Sequence, residues 1–86
     1  MSARALVLVE AERASMLTLG GDLAAVPGVT EVFGVTGEWD FVAIVSVESH
    51  SKLGEVVTVG IQGLEGVART QTLVALDTYR GSGGPA

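Results

Sequence analysis

The sequence predicts an α+β fold with the element order β-α-β-β-α-β, and three observations support this. A shift of 38 residues places residues 5–10 on residues 43–48, with four of the six positions identical. The same shift places Gly28-Val29 on Gly66-Val67. In both halves a short apolar run is followed by a segment with helical spacing of its apolar residues. Two β-α-β halves of one design are therefore predicted.

The first half contains a strand, a helix and a second strand. Strand β1 covers residues 5–10 and is apolar on both alternating faces, as is typical of a central strand. Helix α1 is predicted from about residue 14 to residue 25, where Pro27-Gly28 stops it. Strand β2 then covers residues 29–36. The apolar stripe of α1 has a spacing of three and four residues and consists of Met16, Leu19, Gly20, Leu23 and Val26.

The second half repeats this pattern from β3, predicted at residues 41–48. Ser49 and Ser51 offer N-cap oxygens, so helix α2 is predicted to begin near Ser51 and to end at Glu65-Gly66. Several β-branched residues leave a strand open as an alternative here, but the cap and the spacing favour a helix. Strand β4 covers residues 67–77. The α2 stripe consists of Leu53, Val56, Val57, Gly60, Ile61 and Leu64.

A tight turn at residues 36–40 joins β2 to β3 near the centre of the sequence. Gly37 can adopt the positive φ that a sharp reversal often needs. Asp40 has two readings, since its carboxylate can bond nearby backbone amides or a ligand. We call residues 36–40 the hairpin turn.

The element order predicts a ferredoxin-like fold, which is a four-stranded antiparallel sheet with the spatial order 4-1-3-2. Right-handed crossovers place both helices on one face of the sheet. This order puts the most apolar strands, β1 and β3, in the centre. It puts β2 and β4, which carry more polar residues, at the edges.

The length of 86 residues predicts one domain, which we place at residues 1–79, followed by a flexible tail at residues 80–86. The chain has no cysteine, which excludes disulfides and thiolate metal sites. The apolar runs are too short for a membrane helix, and no signal-peptide pattern opens the sequence, so we expect a cytoplasmic protein without membrane contact. The net charge of −5 and the scattered basic residues argue against direct nucleic-acid binding.

Hydrophobic residues make up 48% of the chain, which is more than one small core hides easily. Because both helices cover one face, the other face must keep apolar side chains from β1 and β3. The pattern leaves open whether these are Ala5, Val7 and Val9 or Leu6 and Leu8. An apolar face of this size predicts a homodimer in which sheet packs on sheet about a two-fold axis.

Two motifs of the chain are typical of one family. The hairpin turn has a Gly-x-x-Asp pattern, and Gly66-Val67 is followed by Thr70-Gln71-Thr72. With these motifs the chain resembles, from about residue 5 to residue 79, the effector-binding RAM domain of the Lrp/AsnC (feast/famine) regulators. Members of this family usually carry an N-terminal helix-turn-helix. The sequence has no such segment, so we expect the stand-alone form of the domain, without DNA binding of its own.

The resemblance implies a dimeric α/β barrel, assembly into an octamer or a similar ring, and binding of a free amino acid or related metabolite between dimers. It also implies mixed assembly with a full-length Lrp/AsnC regulator as one partner, and no cofactor. In such a site, amides near Gly37 would hold a carboxylate and Asp40 an ammonium group. Trp39 would wall the pocket or pack between dimers. The implied ligand-binding residues are Thr36, Gly37, Trp39, Asp40, Thr70 and Thr72.

Other functions receive less support from the residues. His50, the single histidine, and Glu10 are expected to be solvated. No nucleophilic cysteine and no metal-ligand set supports catalysis, so we expect no enzyme. Two alternatives stay open, namely an assembly module without a ligand and a small dimeric α/β-barrel enzyme of the monooxygenase or isomerase type. ACT domains share this topology, but they usually associate through sheet edges, which an apolar open face disfavours.

Overall fold

The computed structural model describes residues 2–86 and confirms the predicted element order. One antiparallel sheet has the strand order β2-β3-β1-β4, so β1 and β3 lie in the centre and β2 and β4 at the edges. Met1, where the domain was predicted to begin, lies outside the described residues. The strands are β1 Ala3–Ala11, β2 Val29–Gly34, β3 Phe41–Val47 and β4 Val67–Val74, and the helices are α1 Leu19–Ala24 and α2 His50–Glu55.

Helix α1 is much shorter than the prediction. A 3-10 turn forms at Arg13–Ser15, and regular α-helix begins only at Leu19. The backbone N–H of Glu12 donates to the carbonyl of Gly66 at 2.7 Å, which ties this segment to the turn before β4. Thr18 precedes the helix without a side-chain cap hydrogen bond. Met16 was therefore wrongly placed in the buried stripe and is exposed.

The second helical segment forms where the spacing of its apolar residues predicted a helix, so the strand alternative was wrong. Ser49 is the N-cap, and its Oγ accepts from the backbone N–H of Lys52 at 3.4 Å. Beyond Glu55 the segment continues as a π-helix at Val56–Ile61. The N–H of Gln62 donates to the carbonyl of Val57 at 2.9 Å, which is the i to i−5 pattern. β-Branched residues and Gly60 have low α-helix propensity, which disfavours a regular α-helix in this stretch.

Strands β2 and β4 end two or three residues before their predicted boundaries, and β3 ends one residue early, at Val47. Strand β2 ends at Gly34 and β4 at Val74, whereas the sequence pattern extended them to residues 36 and 77. Regular pairing of β4 with β1 ends at Val74 and Ala5, although β1 itself begins at Ala3. The backbone N–H of Ala75 still donates to the carbonyl of Arg4 at 2.9 Å.

The core lies between the helices and one face of the sheet. The register pairs Val7 with Ala43 and Ala5 with Val45, so these side chains share one face, and all four are fully buried. Leu19, Leu23 and Ile61 cover them from the helices. Burial of each large aliphatic side chain contributes about 1.5–3 kcal/mol, which makes this layer the main source of stability.

The internal repeat is visible in the backbone of the two turns that follow the helices. Gly28 and Gly66 occupy equivalent positions in the two halves, with φ of 98° and 94°. A Cβ at Gly28 would lie 2.7 Å from Cγ2 of Val56, and one at Gly66 would collide with the side chain of Ser15. Glycine is therefore required at both positions by conformation and by space.

The face of the sheet that the helices leave uncovered is apolar. We call it the open face. The sequence left open which alternate residues of β1 lie on it, and the structure answers this because Leu6 points outward while Val7 is buried. Leu6 is 39% exposed, Phe33 49% and Leu73 44%. The apolar side chains of the open face are Leu6 and Leu8 of β1, Phe33 of β2, Val42 and Ile44 of β3, and Leu73 of β4.

No helix within residues 2–86 has the length and apolarity needed to cross a membrane.

Candidate functional site

The hairpin turn lies at the end of the sheet where β1 ends and β4 begins. Gly37 has a φ of 112°, as the sequence predicted for a sharp reversal. Thr36, Gly37 and Glu38 are exposed, and no atom lies within 4 Å of the position that a Cβ of Gly37 would take. The tip of the turn is thus open to a ligand or to a second protein chain.

Asp40 anchors the turn to the rest of the sheet. Its backbone N–H donates to the carbonyl of Val9 at 2.9 Å, and its carbonyl accepts from the N–H of Val35 at 2.9 Å. Its Oδ2 accepts from the backbone N–H of Ala11 at 2.8 Å. Pairing of β1 with β3 ends at Val9 and Phe41, so the carboxylate of Asp40 takes the place of a strand partner for Ala11. The carboxylate therefore bridges two chain segments, whereas the sequence left open a cap on its own turn or contact with a ligand.

Trp39 packs against Arg69 of β4. The guanidinium carbon of Arg69 lies 4.2 Å from the ring centroid of Trp39, within the range of a cation–π interaction. Nε of Arg69 donates to Glu10 at 3.4 Å, and Nη2 donates to Glu38 at 3.3 Å. Glu10, expected to be solvated, is thus part of an ion pair. We call Glu10, Glu38, Trp39 and Arg69 the arginine cluster.

The positive charge of Arg69 is strengthened by its two carboxylate partners. The hydrogen bond to Glu10, followed by the one to Glu38, raises the pKa of Arg69 above its ordinary value. A guanidinium keeps its charge at every pH below its pKa, and the ordinary pKa of arginine is already very high. Changes of pH within the neutral range therefore leave the charge of Arg69 in place.

Thr70 and Thr72 lie on the other face of β4 from Arg69. The register pairs Thr70 with Val9 and Thr72 with Val7, and both valines are buried beneath the helices. The side chain of Thr70 accepts a hydrogen bond from Nε2 of Gln62 at 3.0 Å. The two threonines are partly exposed at the helix side of this sheet edge.

The predicted ligand-binding residues therefore form two groups within one chain. Thr36, Gly37, Trp39 and Asp40 belong to the hairpin turn, and Trp39 faces Arg69 on the open side of β4. Thr70 and Thr72 face the opposite side with Gln62. Sequence reasoning missed Arg69 and Gln62. The alternation of β4 could have placed Arg69 opposite Thr70, but its partners come from distant segments that only the register of the sheet brings close.

A cleft lies at the other end of the sheet, away from the predicted ligand-binding residues. It has a volume of about 640 Å³ and lies between the Pro27-Gly28 turn and the second helical segment. Its walls are mainly apolar, with the charged groups of Glu48, Lys52 and Glu55 among the lining side chains. Within residues 2–86, no three His, Asp or Glu side chains are grouped in a way that would hold a metal ion.

A comparison with protein families shows to which family this chain belongs. The model of the Lrp/AsnC ligand binding domain matches residues 4–85. The chain belongs to the Lrp/AsnC family. This confirms the resemblance found in the sequence, and the observed sheet order and helices agree with the fold expected from it.

The curated relatives that match this Lrp/AsnC domain are regulators, and several solved structures have the same fold. An HTH-type transcriptional regulator of Pyrococcus abyssi is 32% identical over 79 residues, which cover 88% of this chain and 53% of the regulator. This chain thus spans about half the length of the curated relatives that it matches.

A crystal structure from Thermus thermophilus is 42% identical, with a TM-score of 0.85, and the match covers 91% of this chain and 98% of that one. A feast or famine regulatory protein of M. tuberculosis, solved in complex with L-methionine, has a TM-score of 0.79 and 23% identity. That match covers 96% of this chain and 56% of the regulator. At this identity the second likeness concerns the fold alone.

Proposed function

We propose that this Lrp/AsnC domain binds a free amino acid, or a closely related small metabolite, between associated copies of itself. The observation that supports this most directly is a turn that is open at its tip and anchored at its base. Gly37 is exposed, while Asp40 is held by Val9, Val35 and Ala11. A turn of this kind presents backbone amides and a carboxylate to a ligand with little cost of ordering on binding.

The chemistry of the turn suits an amino acid. Backbone N–H groups near Gly37 would bind the ligand's carboxylate, and the carboxylate of Asp40 would bind its ammonium group. The bond from Ala11 uses one acceptor position of Asp40, and a carboxylate has about four. The hydroxyl groups of Thr70 and Thr72 would complete the polar contacts.

The separation of the two groups supports a site shared between copies. Thr70 and the Trp39–Arg69 pair lie on opposite faces of β4. One ligand would therefore contact the hairpin turn of one copy and the threonines of another more readily than both groups of one chain. Ligand binding would in this way be linked to the assembly of the protein.

The open face supports the first step of that assembly. Apolar side chains such as Leu6, Phe33 and Leu73 would be buried if two copies packed sheet on sheet as a dimeric α/β barrel. Dimers would associate further into an octamer or a similar ring through the ends that carry the hairpin turns. A full-length Lrp/AsnC regulator would present a matching face, so we propose it as a further partner.

Isothermal titration calorimetry tests the ligand proposal. The probes are the twenty common amino acids, beginning with L-methionine, the ligand of the M. tuberculosis regulator. We expect one or a few of them to bind, and the N-acetyl and amide derivatives of those ligands to bind at least about tenfold more weakly, because each loses one charged contact. Asp40→Asn should also weaken binding about tenfold or more.

Asp77→Asn is the matched control, since it makes the same change in charge at an exposed residue beyond β4. Unchanged affinity in Asp40→Asn would remove Asp40 from the site. Failure of all twenty amino acids to bind the assembled protein would reject the ligand proposal.

An assembly module without a ligand is the second candidate, and the open face is the observation that favours it. Such a module would keep the dimer and the ring, and the hairpin turn would only form contacts between copies. The family and its relatives are regulators, so we propose that the domain acts by binding and assembly rather than by catalysis.

A further inference from the structure

Arg69 connects two parts of the sheet that the strand order keeps apart. The hairpin turn joins β2 to β3, and β1 lies between β3 and β4. Arg69 on β4 nevertheless contacts Glu38 and Trp39 of the turn, at 3.3 Å and 4.2 Å. The turn therefore reaches over the end of β1, and Arg69 holds it from the far side.

The contacts fall on the middle of the turn. Glu38 and Trp39 lie between Gly37 and Asp40, the residues to which the proposed function assigns the ligand's carboxylate and ammonium. Asp40 is anchored by its own hydrogen bonds, whereas the tip at Gly37 has no such bond to β1. The tip thus depends on side-chain contacts for its position.

We propose that Arg69 is a positioning residue, which holds the hairpin turn in its ligand-binding conformation without contacting the ligand. This inference rests on the proposed function, and it names a residue that neither the sequence motif nor the turn itself contains. Its physical basis is preorganisation, because a turn that is already ordered loses less conformational entropy when it binds.

The residue type suits this role. A guanidinium is planar, so it can stack on the indole of Trp39 while its edge donates to Glu10 and Glu38. Its contacts with two carboxylates and an aromatic face occupy much of the group. A ligand's carboxylate would have to compete with two protein carboxylates, which makes Arg69 a poor receptor for the ligand itself.

Trp39 gives a direct measurement of this contact because it is the single tryptophan of the chain. We expect Arg69→Ala to raise the acrylamide quenching constant of Trp39 fluorescence about twofold in the ligand-free protein, since the indole loses the group that covers one face. Arg69→Lys keeps the charge and should restore part of the protection. Arg80→Ala is the matched control, because Arg80 is exposed and lies beyond the end of β4.

Ligand affinity is the second measurement. Arg69→Ala should bind the amino acid found by calorimetry about tenfold more weakly, Arg69→Lys should be intermediate, and Arg80→Ala should match the unmodified protein. Circular dichroism should show the same fold for all three variants, because Arg69 and Arg80 are both exposed.

The two measurements separate the possible failures. Unchanged quenching in Arg69→Ala would show that Arg69 does not hold the turn, and would overturn the proposal whether or not a ligand binds. Increased quenching with unchanged affinity would overturn the positioning role alone. Increased quenching in a protein that binds no amino acid would reject the proposed function and, with it, this role, while leaving the contact between Arg69 and Trp39 established.

Discussion

The two faces of the sheet are built from alternate residues of the same strands, yet they differ in what covers them. On the helix side Val7 and Val45 are fully buried. On the open face their neighbours Leu6 and Ile44 pair across the same two strands, and Leu6 remains 39% exposed. The residue classes are alike, and only the layer of helices distinguishes the two environments.

This difference separates the role of each face. The helix side contributes the stability of the single chain, because its side chains are buried within one copy. The open face contributes little to the stability of a single copy, and we propose that its apolar residues serve association. The candidate site lies at the end of the sheet that carries the hairpin turn. Arg69 lies there on one face of β4 and Thr70 on the other. Three further predictions test this comparison.

The largest effect is expected from the helix side. Leu23 is fully buried in α1, so Leu23→Ala should lower the free energy of unfolding by about 2–5 kcal/mol through the lost apolar contacts and the remaining cavity. Urea denaturation followed by circular dichroism measures this change. Leu17→Ala is the control, because Leu17 is fully exposed and should change stability by less than about 0.5 kcal/mol. Equal effects of the two substitutions would contradict the assigned core.

The next effect concerns the open face. Ile44→Asp introduces a charge at its centre and should raise the dissociation constant of the dimer at least about 100-fold, because burial of an unpaired charge costs about 3 kcal/mol or more. Light scattering should then show the monomer mass of 8.8 kDa in place of the larger mass of the assembled protein. Thr18→Asp adds the same charge at an exposed position before α1 and should leave the dimer intact. A dimer that survives Ile44→Asp would show that copies associate elsewhere.

The smallest effect is expected at the end of the sheet where Asp40 anchors the hairpin turn. Asp40→Ala removes the acceptor for the backbone N–H of Ala11 and should lower stability by about 1–3 kcal/mol. Asp40→Asn retains an acceptor oxygen and should cost less than Asp40→Ala. Thermal denaturation of the ligand-free protein separates this structural role from ligand binding. If both variants were as stable as the unmodified protein, the bond to Ala11 would contribute nothing to the anchor.

Much of the fold could be predicted because its signals are local or repeated. The 38-residue repeat indicated two β-α-β halves, and Gly28 and Gly66 do adopt the same conformation in both. The periodicity of α2 correctly identified Leu53, Val57 and Ile61 as buried. The prediction of α1 was less accurate, because the bond between Glu12 and Gly66 joins residues far apart in sequence.

The candidate site was predicted only in part, for a similar reason. The family motif pointed to Gly37, Asp40, Thr70 and Thr72, but not to the faces on which they lie. Asp40 contacts Ala11 because β1 continues beyond the point where its pairing with β3 ends. Only the strand register shows where that point lies.

The sequence by itself determined the order of the elements, the central and edge strands, the hairpin turn and an excess of apolar surface. These features follow from composition, spacing and local conformational preference. The tertiary structure decided which alternate residues face the helices, that Arg69 reaches Trp39, and that Thr70 lies on the opposite side. Those outcomes depend on strand register, because a shift of one residue exchanges the two faces of a strand.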